Sequence, residues 1–423
     1  MQTIALDEQS HANVSSKLVG PCPSGEATLP SRPPVMLLLV MPHEHLGVKR
    51  WPFPVVPSPA SCDFIADRTQ LREDVEGLLR TLSRQDASSI HLLWSWFGAG
   101  KTHTLFYLAN RAAQLHKQGA TGLHTVYSEF PKSARSFVDL YRSFAQGLDI
   151  EDLIEAYLEI STSTDSHLMR RDLVLASHDL VNALHVAATG ESVDQVTAMR
   201  WLRGESLPVA QFRQVGISQK IGSAEEAGRI LTALVRLLAL SSKSKGRESC
   251  RVIWFLDEFQ HVENLPAGVR REINTGLHST FNACPTGLSI VLSFSGRPQD
   301  TLPAWFSPEL RDRVGRTKVM ILPPMRAEEA MEFIKDVLKH LRTLESFDAE
   351  PFFPFTEETC RFIIDDIQRE EELKPRAIMH AFNAVLQEAD PKIEAGKITT
   401  ISPEFAKGVL AEHVPLPTGE ENS

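Results

Sequence analysis

Residues Ile90-His91-Leu92-Leu93-Trp94 form an apolar run, and Ser95-Trp96-Phe97-Gly98-Ala99-Gly100-Lys101-Thr102 follows it directly. A buried strand, a glycine-rich loop and a helix start, in that order, make a cradle for a nucleoside triphosphate. Glycine at 98 and 100 lets successive backbone N–H groups turn inward on phosphate oxygens with no Cβ in the way. The helix predicted over about Lys101–Lys117 adds the positive end of its dipole. Lys101 supplies a point charge to the β- and γ-phosphates, and the Thr102 hydroxyl is placed to ligate Mg²⁺. The expected nucleotide contacts are Ser95, Gly98, Ala99, Gly100, Lys101, Thr102 and His103, with ATP or GTP as the triphosphate. One departure is visible: Ser95 stands where the first glycine of G-x-x-x-x-G-K-T belongs, and serine is conformationally less free.

A second motif moves the reading from binding to hydrolysis. Arg251-Val252-Ile253-Trp254-Phe255-Leu256-Asp257-Glu258 is an unbroken apolar run ending in adjacent carboxylates, the pattern of a fully buried parallel strand. At its carboxyl end Asp257 can hold a Mg²⁺ water while Glu258 polarises the attacking water, as phosphoryl transfer requires.

Length and composition set the frame around these motifs. The 423 residues, 42% apolar and 23% charged, suffice for two or three packed domains. A net charge of −10 argues against a surface covered in nucleic-acid-binding cations, so any DNA contact must be local or shared with a partner. Five cysteines without a C-x-x-C pair indicate neither a disulfide framework nor a zinc site. The apolar run Val35–Met41 is far short of a membrane span, and a cytoplasmic protein without signal peptide or membrane anchor is expected.

By texture the chain divides into four parts. Residues 1–60, rich in Pro, Ser and Gly, read as a flexible leader, with His43-Glu44-His45 as a solvated tract. A core over 61–325 begins with a helix near Arg68. Asp257 lies 156 residues beyond Lys101, far more than one βα unit needs, so a helical insertion of about 90 residues is expected over 135–220. Within it Trp201-Leu202-Arg203-Gly204-Glu205 reads either as a helix end capped by Gly with Trp201 packed inward or as a partner surface. Further strands are predicted at 287–294 and 317–322, then a helical lid over 326–415 and a tail over 416–423.

This order of parts resembles the AAA+ ATPases, particularly the initiator-like clade of origin-recognition proteins and transposition-regulating ATPases. The resemblance spans about residues 50–412 and implies an α/β P-loop core with a parallel sheet, a helical insertion and a C-terminal helical lid. It implies Lys101 and Thr102 as Walker A, Asp257 and Glu258 as Walker B, Ser295 or Ser293 as sensor 1, and Arg376 as sensor 2. The arginine finger is implied among Arg311, Arg313 and Arg316, with Arg316 best placed before the last core strand. Serine replaces the usual sensor-1 asparagine, and the choice between Ser293 and Ser295 is read as a matter of strand register. The initiators' winged helix is not expected after Val414. The insertion pattern also resembles, weakly, ATP-binding proteins of bacterial phage-exclusion and multi-gene defence systems.

The expected function is therefore ATP hydrolysis with Mg²⁺ by a homo-oligomer that licenses or remodels a nucleic-acid-associated multiprotein complex. A nucleotide switch with little turnover and a DNA-binding regulator built on the same fold are the alternatives. Direct DNA contact would fall on Arg170-Arg171, Arg270-Arg271 or Lys243-Ser244-Lys245-Gly246-Arg247.

Overall fold

Five parallel strands form one sheet in the order β2-β3-β4-β1-β5, where β1 is Ser89–Ser95, β2 Gly122–Glu129, β3 Cys250–Asp257, β4 Leu288–Ser295 and β5 Val319–Ile321. The computed structural model describes residues 43–66, 69–119, 121–162, 171, 173–244, 246, 250–299, 302–314, 318–343 and 350–412. The α/β class and parallel sheet expected from the sequence are present. β1, β3 and β4 lie inside the sheet, which is why their sequences run apolar without alternation.

Side chains two apart share a sheet face, so the central strands feed two separate cores. Leu92, Trp94, Val252, Trp254 and Leu256 meet the helices that intervene between β2 and β3. Leu93, Ile253, Phe255 and Val291 meet α1 (Thr69–Arg84) and α2 (Lys101–Lys117) on the other face. The intervening segment includes α3 (Phe137–Gly147), α4 (Ile150–Thr162), α5 (His178–Thr189), α6 (Ser192–Leu202), α7 (Val209–Gln214) and α8 (Ala224–Ser244). The Ser136 hydroxyl caps α3 by accepting from the Val138 amide at 3.2 Å. In the Trp201–Glu205 stretch Trp201 is packed inward and its indole N–H donates to the Gln219 carbonyl at 2.7 Å, so this stretch closes a helix.

After β3 come α9 (Ala267–Ala283), β4, α10 (Pro308–Val314) and β5, then the C-terminal helices that the sequence reads as a lid: α11 (Ala327–Leu341), α12 (Glu357–Glu370), α13 (Pro375–Glu394) and α14 (Pro403–Glu412). The lid has its own apolar core, and residues from within the stretch read as leader complete it. Leu46, Val48 and Phe53 are fully buried there. Phe53 packs against Phe355 and Phe382, with ring centroids 6.0 and 5.4 Å away. The Lys49 amide donates to Leu341 O at 2.8 Å, Trp51 Nε1 to Asn383 Oδ1 at 2.8 Å, and His45 pairs with Asp390 at 2.6 Å. Residues 43–66 are thus an ordered arm, and His45 is a lid contact instead of part of a solvated tract. The stretch that reads as flexible for its prolines contributes Leu46, Val48 and Phe53 to the core of the C-terminal helices, a pairing no local pattern records.

Candidate functional site

The carboxyl ends of β1, β4 and β3 lie side by side, and this edge carries the polar residues picked out by the sequence. Such an edge, where connections leave to opposite faces, is where open α/β sheets bind ligands. Above it opens a cavity of about 390 Å³ walled by the glycine-rich loop, by arm residues such as Pro54 and Ile65, by Met325, and by Val337 and Arg376 of the C-terminal helices.

The loop conformation answers the Ser95 question. Positive φ is needed only at Gly98 (79°) and Gly100 (94°), where a Cβ would be strained. Ser95 closes β1, and its hydroxyl donates to the Leu322 carbonyl beyond β5, so serine is accommodated without glycine's freedom. Ala99 is buried beside these turns. Lys101 begins α2, is almost fully buried, and donates from Nζ to Trp96 O at 2.8 Å and Ser95 O at 3.2 Å. Burial pushes its ammonium down to about 8, with Asp257 and Glu258 opposing the shift and Arg376 adding to it. A buried ammonium held by neutral carbonyls, next to inward-turned glycines, is a suitable binding place for an anion.

Asp257 closes β3 and accepts from the Thr102 hydroxyl at 2.6 Å, the Tyr127 hydroxyl at 3.2 Å and the Glu258 amide at 2.9 Å. Two oxygen-bearing side chains, Thr102 and Asp257, already in contact at the loop fit the oxygen chemistry of Mg²⁺. They are the residues that would hold the ion, which would supply positive charge to a bound triphosphate. Burial, then the neighbouring Asp257 charge, raises the Tyr127 hydroxyl far above its ordinary range, so Tyr127 stays a proton donor to Asp257.

Glu258 stands in the left-handed region, φ 56° and ψ 33°, the sole non-glycine residue with positive φ among the described residues. That conformation costs on the order of 1–3 kcal/mol and is retained where the surroundings over-determine it. Here Gln260 does so: its Nε2 donates to Glu258 Oε2 at 2.5 Å while its Oε1 accepts from the Ser295 amide at 2.8 Å. One side chain thus sets the carboxylate against the end of β4.

Ser293 and Ser295 lie on the same face of β4, because they are two residues apart, so register cannot choose between them. Depth does. Ser295, paired with Ser95, reaches the cavity, whereas Ser293 is wholly buried in the sheet with an unpartnered hydroxyl.

Arg376 comes down from the lid. Pro375 opens α13 at its first position, the Arg376 amide donates to Gly98 O at 3.1 Å, and a Cβ built at Gly98 would stand 3.1 Å from that of Arg376. Lid and phosphate loop are therefore in backbone contact. His103 borders the cavity, but its ring is committed to the arm. Nε2 lies 2.8 Å from Phe64 O, which can only accept, so Nδ1 accepts from the Cys62 thiol at 3.2 Å. Burial holds the imidazole below its ordinary value and pushes the thiol up to about 11, as this neutral pair requires.

The arginines expected as finger candidates lie elsewhere. Arg311 on α10 donates to Pro303 O at 2.6 Å, Arg313 is exposed with its guanidinium 5.9 Å from the Phe281 ring, and neither lines this cavity. Arg316 lies outside the described residues.

Three solved structures illustrate what the chain is similar to. It is similar to the Aeropyrum pernix ORC1 protein in complex with DNA at 14% identity, over 87% of this chain and 73% of that one, with TM-score 0.48. Drosophila ORC bound to DNA is similar at 12% identity over 94% and 71%, TM-score 0.46. Domain III of the Thermotoga maritima replication initiation protein DnaA is similar at 14% over 85% and 98%, TM-score 0.42. No protein-family model and no curated protein matches the chain.

Sequence reasoning missed Tyr127, Gln260 and the arm. The spacing Asp257-Glu258-Phe259-Gln260 was available as a signal, since a residue two beyond the carboxylate in a tight turn can reach back to it. Tyr127 required knowing that β2 pairs with β3.

Proposed function

We propose that the chain is a Mg²⁺-dependent ATPase that acts as a homo-oligomer to license or remodel a nucleic-acid-associated multiprotein complex, of the mobile-element or phage-defence kind. The observation that carries this reading is the convergence at one cavity of Lys101, the Thr102–Asp257 pair, Glu258 and Arg376, from three separate parts of the chain. Each has a distinct part in phosphoryl transfer. Loop amides and Lys101 bind and orient the triphosphate of ATP, Glu258 takes the proton of the attacking water, Ser295 positions that water or the γ-phosphate, and Arg376 faces charge that develops on the γ-phosphate.

The oligomeric part rests on Arg313, which is exposed and remote from its own cavity, a placement that suits delivery to a neighbouring subunit. The nucleic-acid part rests on Arg270, Arg271 and Arg297, which flank a cleft of about 860 Å³ that shares Ser295 with the nucleotide edge. Cations there can meet phosphates locally although the whole chain is acidic.

Glu258→Gln is expected to retain ATP and lower turnover by about 10²–10⁴-fold, whereas Lys101→Ala loses ATP binding itself. Hydrolysis by Glu258→Gln at the wild-type rate would remove the catalytic assignment. The same variant, loaded with ATP at low salt, is the reagent for an anisotropy titration of duplex and single-stranded DNA. Absence of binding there moves the proposed target from nucleic acid to a protein.

A further inference from the structure

Away from the nucleotide cavity, His116 in the last turn of α2, His124 in β2 and Asp152 in the first turn of α4 bring one ligand atom each to within 4.8 Å of one another. The His124 side chain is only 9% exposed, and its Nδ1 lies 2.9 Å from Asp152 Oδ2. The His116 ring stands edge-on to the His124 ring, with centroids 4.8 Å apart at 61°. Gathering two imidazoles on one carboxylate, with one imidazole at the protein interior, is donor chemistry more specific than a surface ion pair requires.

We propose that these residues form a Zn²⁺ site that joins the helices between β2 and β3 to the α/β core. Two imidazole nitrogens and one carboxylate oxygen match the borderline preference of zinc and do not match Mg²⁺ or Ca²⁺, which take oxygen sets. Zinc bonds of roughly 2.0–2.2 Å place neighbouring ligand atoms about 3–3.5 Å apart. The His124–Asp152 pair already has nearly that spacing. His116 sits half-exposed at a helix end, where side-chain rotation closes the remaining gap. Water completes the fourth position.

The site is distinct from the one that would hold Mg²⁺. His116 lies fifteen positions beyond Lys101, about 22 Å along α2 at its rise per residue. It also lies at the start of β2, a sheet edge, whereas the nucleotide edge is at the strands' carboxyl ends. The three ligands come from three elements, so one ion would cross-link α2, β2 and α4.

The test uses the full chain freed of metal with a chelator, then titrated with ZnCl₂ by calorimetry and with Co²⁺ by visible absorption. The wild type is expected to bind one zinc per chain and to develop the d–d bands of nitrogen-ligated cobalt. His116→Gln and Asp152→Asn, the first at a half-exposed position and the second isosteric, are expected to lose more than the roughly 10–100-fold that losing an outer-shell partner costs. Lys101→Ala and Cys62→Ser keep wild-type zinc affinity. Hydrogen exchange in the first turn of α4 should slow on adding zinc to the wild type alone. Absence of stoichiometric zinc binding by the wild type, or equal affinity in His116→Gln and Asp152→Asn, overturns the proposal without touching the ATPase reading.

Discussion

The edge of the sheet proposed to bind nucleotide and the roof above it are built by opposite means. At the edge, Lys101, Thr102, Asp257, Glu258 and Ser295 are fixed by short polar contacts, each with a named donor and acceptor. The roof, made of the arm and the lid, is held mainly by rings and aliphatic chains such as Leu46, Val48, Phe53, Phe355 and Phe382. Polar contacts fix direction, which proton transfer and phosphate binding need. Apolar packing fixes closeness and tolerates approximate orientation, which suits a wall for a flat base. Chemistry and enclosure can therefore fail separately.

The largest expected effect is at the edge: the turnover loss in Glu258→Gln should leave the melting temperature at its wild-type value, and a large fall in stability would dissolve the distinction. Phe53→Ala addresses the roof. Removing a fully buried aromatic ring costs about 3–5 kcal/mol, read by denaturant unfolding, and should weaken ATP binding through loss of the arm while sparing the relative effect of Glu258→Gln. Unchanged stability would show that the arm does not secure the lid. Gln260→Ala removes one hydrogen bond to Glu258, the carboxylate proposed as catalytic, and is expected to lower turnover about tenfold, with ATP affinity retained. A loss of affinity instead would place Gln260 in binding.

The smallest effect is a pH dependence. Lys101 titrates near 8 in the fold and near 10.4 in an unfolded chain. Between those values the unfolded chain holds a proton that the folded one lacks, so stability without nucleotide rises with pH across this window. A triphosphate favours the charged lysine, so ATP affinity should fall roughly threefold from about pH 7.5 to about pH 8.5. Calorimetry in buffers of different ionisation enthalpy should show proton uptake on binding, and an affinity that stays level between about pH 7.5 and about pH 8.5 would remove Lys101 as the titrating group.

The two ends of α2 show how far local pattern carries. Its start was legible because strand, glycines, lysine and threonine are contiguous, and backbone sterics leave few other uses for Gly98 and Gly100. Its end was not, because His116, His124 and Asp152 are 8 and 28 residues apart on elements of different type. The acidic end of β3 was legible for the same reason as the loop. Its supports were not: Tyr127 arrives through β2–β3 pairing, and Gln260 depends on the left-handed turn at Glu258.

Sequence alone determined the glycine-rich loop after β1 and the paired carboxylates at the end of β3, each written within about eight contiguous residues whose spacing obeys backbone periodicity, and it implied the α/β class through the order of its parts. Only the tertiary structure decided that Ser295 rather than Ser293 reaches the cavity, that His103 turns to the arm, and that residues 43–66 complete the lid. Those outcomes depend on strand ends, pairing and long-range packing. Side chains distant in sequence meet there because burying apolar surface offsets the entropy of closing the chain between them.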